Sequence, residues 1–414
     1  MDRRWWLVAL MICAPPTAGM EARANGMPDS RTETAIGLMT GFADRTGMTS
    51  PRPQQRYLWT DAFAVCNLLG LARATGDERY QELALRLVER VHQVLGRHRS
   101  DDLRTGWISG LDERAGEEHP TRGGLRIGKP LPERGPDDTF DERLEWDRDG
   151  QYFHYLTKWM QALDLVARAT HQPRFNLWAR ELAATAHAAF TYAPPGGRSR
   201  MYWKMSIDLS RPLVPSMGQH DPLDGFVTCV QLQVTARNLS RSPEGPGLGD
   251  EVADFRSMMK GRDWATADPL GLGGLLMDAS RVEQLMRRGA FGEDDLLEEL
   301  LGAALVGLEH YARQGELDRP ATMRLAFREL GLAIGLQAVE RMRKAAEERQ
   351  VSPEVRSRLE DLMRHASLRG KIEGFWLDAE HQRAPTWTEH RDINEVMLAT
   401  SLVPEGCLEL PPID

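Results

Sequence analysis

The sequence predicts an all-α chain closed into an (α/α)6 toroid, a ring of six helical hairpins in which inner and outer helices alternate. Three observations predict it. Segments of helical period follow one another from about residue 30 to residue 402. They alternate strictly between an amphipathic type and a more apolar or Gly/Ala-rich type, six of each. Period-two alternation and Asn-Gly hairpin signals are nearly missing. An outer helix keeps one solvated stripe, whereas an inner helix packs on its neighbours all round and loses it. An open solenoid would need repeats of near-constant length, and these repeats vary widely.

In chain order, residues 32–45 are amphipathic and residues 58–74 almost uncharged in their middle. Residues 80–95 carry their charges on one side and precede, after a long link, the apolar stretch 147–169. The same pairing recurs as 174–190 with 221–237, 250–259 with 269–286, 294–312 with 322–342, and 353–367 with 388–402. Inner-to-outer links are short, as in Thr75-Gly76-Asp77-Glu78 and Thr170-His171-Gln172-Pro173, whose Gly, Asp and Pro stop one helix and start the next. Outer-to-inner links include the long stretches 96–146, 191–220 and 369–387, and links of such length in a compact domain tend to be functional. In a ring of antiparallel hairpins these links share the face that holds the N-terminal ends of the inner helices. The site is expected there. Residues 30–402 form the single toroid domain and 403–414 a C-terminal tail.

The alternation, together with Ala74-Thr75-Gly76-Asp77-Glu78-Arg79-Tyr80 between an inner and an outer helix, resembles the six-hairpin glycosidase superfamily. That group includes unsaturated glucuronyl hydrolases, other (α/α)6 glycoside hydrolases and, on a similar barrel, N-acylglucosamine 2-epimerases. The resemblance rests on architecture and one turn over residues 30–402; the epimerase-type Trp-Pro-Gln-Ala-Glu is missing. It implies a carbohydrate-active barrel and does not select a reaction.

Composition narrows the class. With 41% hydrophobic and 27% charged residues the 414-residue chain reads as soluble and globular. A net charge of −9 and the lack of a dense basic run argue against nucleic acid and anionic membranes as partners. Cys13, Cys66, Cys229 and Cys407 lie far apart with no CxxC, so they read as small buried hydrophobes; neither a metal nor another cofactor is expected. Residues 1–26 read as a signal peptide, with Asp2-Arg3-Arg4, an apolar run 5–14 and Ala22-Arg23-Ala24, or as an overlong gene start with Met20 or Met27 as the true first residue. The first reading places the protein in the periplasm or outside the cell, the second in the cytoplasm. No stretch is long enough to span a membrane.

The inner-helix mouths carry chemistry that the helix bodies lack. They read Trp59-Thr60-Asp61, Trp146-Asp147-Arg148-Asp149 with Tyr152 and His154, His220-Asp221 with Asp224, Trp264 with Thr266 and Asp268, and Trp387-Thr388-Glu389-His390 with Asp392. Glycosidic cleavage commonly employs two carboxyl groups, one to protonate the leaving oxygen and one to activate water or attack. Tryptophans stack on pyranose faces, and polar groups bind hydroxyls. Asp and Thr are also preferred N-caps, which accounts for single acids but not for the tryptophans at four of the six mouths.

The expected function is therefore a glycoside hydrolase-like enzyme acting on an oligosaccharide or glycan fragment. Asp147 is the leading general acid or base and Asp149 its alternate, with Asp221 and Glu389 as choices for the second carboxylate. Trp59, Asp61, Trp107, Trp146, Tyr152, His154, Trp203, His220, Trp387 and His390 are expected to bind substrate. Two other readings stay open: a glycan-binding or scaffold toroid without catalysis, and a sugar epimerase or isomerase using His154, His220 or His390. Gly123 to Lys129 (GGLRIGK) fits GxxxxGK, but Pro130 stands where a phosphate loop needs Ser or Thr.

Overall fold

Inner and outer helices differ in burial as their sequences require. The first inner helix, Leu58–Thr75, is buried without a break from Leu58 to Leu71. The outer helix Glu78–Leu95 buries only Ala84, Leu87, Val88, Val91, His92 and Leu95, three and four residues apart on one face. In this computed structural model, which describes residues 29–290, 294–348 and 351–413, the remaining inner helices are Phe153–Thr170, Asp221–Leu239, Pro269–Arg287, Ala326–Glu348 and Arg391–Leu402. The outer ones are Ser30–Arg45, Pro173–Phe190, Gly249–Met259, Asp294–Arg313 and a last one in two pieces, Pro353–Met363 and Ser367–Leu377. Each inner helix packs on the next and the sixth packs back on the first, so the ring closes. This is the (α/α)6 toroid expected. The signal-peptide or gene-start reading of residues 1–26, and Cys13 with it, lies outside the described residues.

Between the fourth and fifth inner helices the backbones touch: a Cβ on Gly273 would stand 2.1 Å from the Gly331 carbonyl oxygen. Further into the ring, Asp164 accepts hydrogen bonds from Gln231 (2.7 Å), Asn176 (3.0 Å), Thr235 (3.0 Å) and Arg168 (3.1 Å), tying the second and third inner helices to an outer one. A buried carboxylate needs that many donors to offset its desolvation. At the C-terminal ends of the inner helices the tail crosses the ring. Its Cys407 and Leu408 carbonyls accept from Gln161 (3.2 Å) and Gln284 (2.8 Å), and the Pro411 carbonyl accepts from Arg168 (2.8 Å). Cys66, Cys229 and Cys407 are buried and free. Among the described residues no helix is long and apolar enough to cross a membrane.

Several boundaries differ from the sequence reading, among them the sixth inner helix, which begins at Arg391 and not at residue 388. The second inner helix begins at Phe153, not at residue 147, because Gln151–Tyr152 pairs antiparallel with Lys204–Met205, which pairs in turn with Pro212–Val214. A second ribbon joins Thr191–Tyr192 to Arg200–Met201. Both lie in long links and consist of strands too short to show alternation. The fifth inner helix starts at Ala326, not at residue 322, and runs on to Glu348. The stretch from 369, expected to be a link, stays helical to Leu377 because Ile372, Glu373 and Trp376 find a buried face.

Candidate active site

The N-terminal ends of the inner helices surround a cavity of about 1120 Å³. The first inner helix contributes Trp59, Thr60 and Asp61, the second His154 and Tyr155, the fifth Phe327 and Arg328, and the sixth Asp392 and Ile393. The long links add Arg126, Lys129, Trp146, Asp147 and Trp203.

The link after the second outer helix forms one wall because it is sewn to its neighbours. The Leu58 N–H donates to the Ile127 carbonyl (3.0 Å), and the Ile127 N–H donates to the Gly150 carbonyl (2.8 Å). Gly128 has φ +93°, and a Cβ there would lie 2.2 Å from the Arg56 carbonyl oxygen, so only glycine lets the segment approach. Lys129 thereby reaches the cavity with its Nζ 5.4 Å from the centre of the Tyr57 ring. The run Gly123 to Lys129 belongs to neither a helix nor a strand, and the next helix begins only at Glu142, so the phosphate-loop pattern is a coincidence of spacing.

Aromatic side chains form a second wall. Trp146, 52% exposed, meets Trp203 edge to face at 5.3 Å. Trp203 stacks parallel to His154 at 5.9 Å, and Tyr152 supports both from behind. The hydroxyls of Tyr57 and Tyr155 are hydrogen-bonded at 2.8 Å. His154 has a buried Nδ1 with no partner, and burial pushes its pKa down to about 4, so it is neutral at physiological pH.

Four carboxylates line the cavity: Asp61, Asp147, Glu389 and Asp392. Asp61 is buried against Arg56 (3.2 Å) and accepts the Tyr57 N–H (3.0 Å). Burial still pushes its pKa up to about 6, outweighing the pull of Arg56 and of that N–H. Asp392 is paired with Arg45 at 2.9 Å. Asp147 and Glu389 have no ion-pair or side-chain hydrogen-bond partner among the described residues. They precede the second and sixth inner helices, on either side of the first.

Of the residues expected to act or bind, Asp147, Glu389, Trp59, Asp61, Trp146, His154, Trp203 and His390 therefore meet in one cavity. The others are placed elsewhere. Asp149 is fully buried behind the wall, held by Arg126 (2.6 Å), Arg99 (3.3 Å) and the N–H groups of Gly128, Lys129 and Gly150. Asp221 is buried at the start of its helix and accepts the Gly218 N–H at 2.9 Å. Burial, and next the charge of Asp224, push its pKa up to about 7. His220 contacts the Trp264 carbonyl at 2.9 Å. Trp107 is buried under Arg97, and Trp387 is stacked on Trp376 at 5.7 Å. Tyr152 is buried behind its two neighbours. Tyr57, Tyr155 and Arg56 also line the cavity and were not singled out from sequence. Their nearness to Trp59 and His154 was the available signal.

No family model and no curated protein matches the sequence. Among solved structures the chain is similar to a GH76 alpha-mannanase of Bacteroides thetaiotaomicron, with TM-score 0.53 and 9% identity over 91% of this chain and 96% of that one. It is also similar to a D-mannose isomerase, with TM-score 0.50 and 10% identity over 91% of this chain and 97% of that one. At such identities the likeness is one of fold, and the shared fold is the (α/α)6 toroid.

Proposed function

We propose that this chain is a carbohydrate-active enzyme, a glycoside hydrolase acting on an oligosaccharide or glycan fragment through Asp147 and Glu389. The observation that carries the reading is the pairing state of the cavity's acids. Asp61 is spent on Arg56 and a helix start, and Asp392 on Arg45, whereas Asp147 and Glu389 are exposed, unpaired and share a cavity walled by Trp146, Trp203 and Trp59. One of the two protonates the leaving oxygen, and the other activates water or attacks the anomeric carbon. Trp146 holds a sugar ring at the lip, where an exposed indole gains most from being covered.

The test is a screen of oligosaccharides, unsaturated uronides included, for released reducing ends. Asp147→Asn and Glu389→Gln should each lower kcat/KM on the substrate found by roughly 10²–10⁴-fold. Full residual activity in either variant would remove that residue from the pair. The likeness in fold to a mannose isomerase and the neutral His154, whose buried Nδ1 has no hydrogen-bond partner, favour a second reading, in which His154 and His390 move a proton during sugar isomerisation. Solvent deuterium incorporated into a monosaccharide, with no glycoside cleaved, would favour that reading.

A further inference from the structure

Among the described residues five cationic side chains line the cavity, and four of them are ion-paired with carboxylates of the protein. Arg56 is paired with Asp61 (3.2 Å), Arg126 with Asp149 (2.6 Å), Arg328 with Asp268 (2.5 Å) and Arg391 with Glu395 (2.7 Å). The fifth, Lys129, has no carboxylate within ion-pair distance among the described residues. Asp147 contributes the largest attraction it feels, at a longer range, and the Tyr57 ring face is its close neighbour. Its backbone is fixed by the Asp149 carboxylate, which accepts the Lys129 N–H at 3.3 Å, and by Arg99, which donates to the Lys129 carbonyl at 2.7 Å. The side chain is thus projected, partly buried, from a backbone anchored in the cavity wall. Burial lowers its pKa, as expected of a cation left short of counter-charge.

Resting on the carbohydrate-active reading, we propose that Lys129 is a specificity-determining residue, and that the sugar bound in this cavity is an acidic one whose carboxylate or phosphate pairs with the Lys129 ammonium. A partly desolvated ammonium beside an aromatic face gains more from an anion than from a hydroxyl, because charge-assisted hydrogen bonds are roughly twice as strong as neutral ones. The four paired cations set the contrast: each touches a carboxylate of the protein, and Lys129 touches none among the described residues.

Titration calorimetry on the full chain with glucose, glucuronate and glucose 6-phosphate reads this directly, with or without turnover. One acidic sugar should bind about tenfold or more tightly than glucose, and which of the two does so separates a carboxylate from a phosphate as the recognised group. Lys129→Met should bring the acidic-to-neutral affinity ratio close to one, and Lys129→Arg should retain most of it. Both variants need a thermal midpoint near that of the parent. A parent that binds neither acidic sugar more tightly than glucose, or a ratio untouched in Lys129→Met, overturns the proposal. The carbohydrate-active reading stands or falls separately, on whether any oligosaccharide or monosaccharide, neutral or acidic, is turned over.

Discussion

Asp147 and Asp149 stand two residues apart, share a side-chain type and meet opposite fates. Asp149 is buried under two arginines and three backbone N–H groups, and Asp147 faces the cavity with no ion-pair or side-chain hydrogen-bond partner among the described residues. Asparagine substitution separates them. Asp149→Asn leaves Arg126 buried beside a neutral group and should cost about 3–5 kcal/mol, as breaking a buried ion pair does. Asp147→Asn should stay within about 0.5 kcal/mol of the parent, as surface changes do. Chemical denaturation of both variants checks this, and equal losses would mean that the two environments are not as different as the burial implies. Nothing in Trp146-Asp147-Arg148-Asp149 distinguishes the two acids, because the arginines that claim Asp149 lie 23 and 50 residues upstream. Glu389 and Asp392 divide in the same way, through Arg45 on the first outer helix.

At the scale of elements, period and polarity located the helices well, and the misses fall where partners decide. The strand Gln151–Tyr152 has two residues and exists because Lys204–Met205 lies beside it. Ser367–Leu377 is helical because its buried Trp376 can donate to Glu329 at 2.8 Å. The close pair of inner helices offers a test in which two effects oppose one another. Gly273→Ala should gain up to about 1 kcal/mol of helix propensity. The new Cβ would meet the Gly331 carbonyl oxygen at 2.1 Å, so the helices must part, at a cost of about 1–3 kcal/mol. Packing should win and the thermal midpoint should fall; a rise would show that the two helices can separate freely.

Across the whole molecule, burial of titratable groups sets how stability follows pH. Burial pushes His92, which accepts the Trp159 indole N–H at 3.1 Å, from 6.5 down to about 3. Its contribution is complete above about pH 6.5 and is lost as pH falls toward 3, because the unfolded chain takes up the proton first. Asp221 is shifted the other way, from 3.8 to about 7, so its contribution is complete below about pH 4 and is lost as pH rises through 7. Stability should therefore be greatest on the acid side of neutrality. In thermal midpoints measured against pH, Asp221→Asn should flatten the neutral limb and His92→Gln the acid limb. Curves parallel to the parent would contradict both assignments.

The order of apolar and amphipathic segments determined the helix count, their alternation and the face that carries the long links, since each depends on local periodicity and on loop length. The same order made a mouth rich in tryptophan and acid legible. Which acids lack an ion-pair partner among the described residues, which cation has no carboxylate in contact, and which tryptophans face the cavity were decided by the closed ring. Those properties depend on what lies within a few ångströms, and ring closure sets residues from the first, second and sixth hairpins side by side.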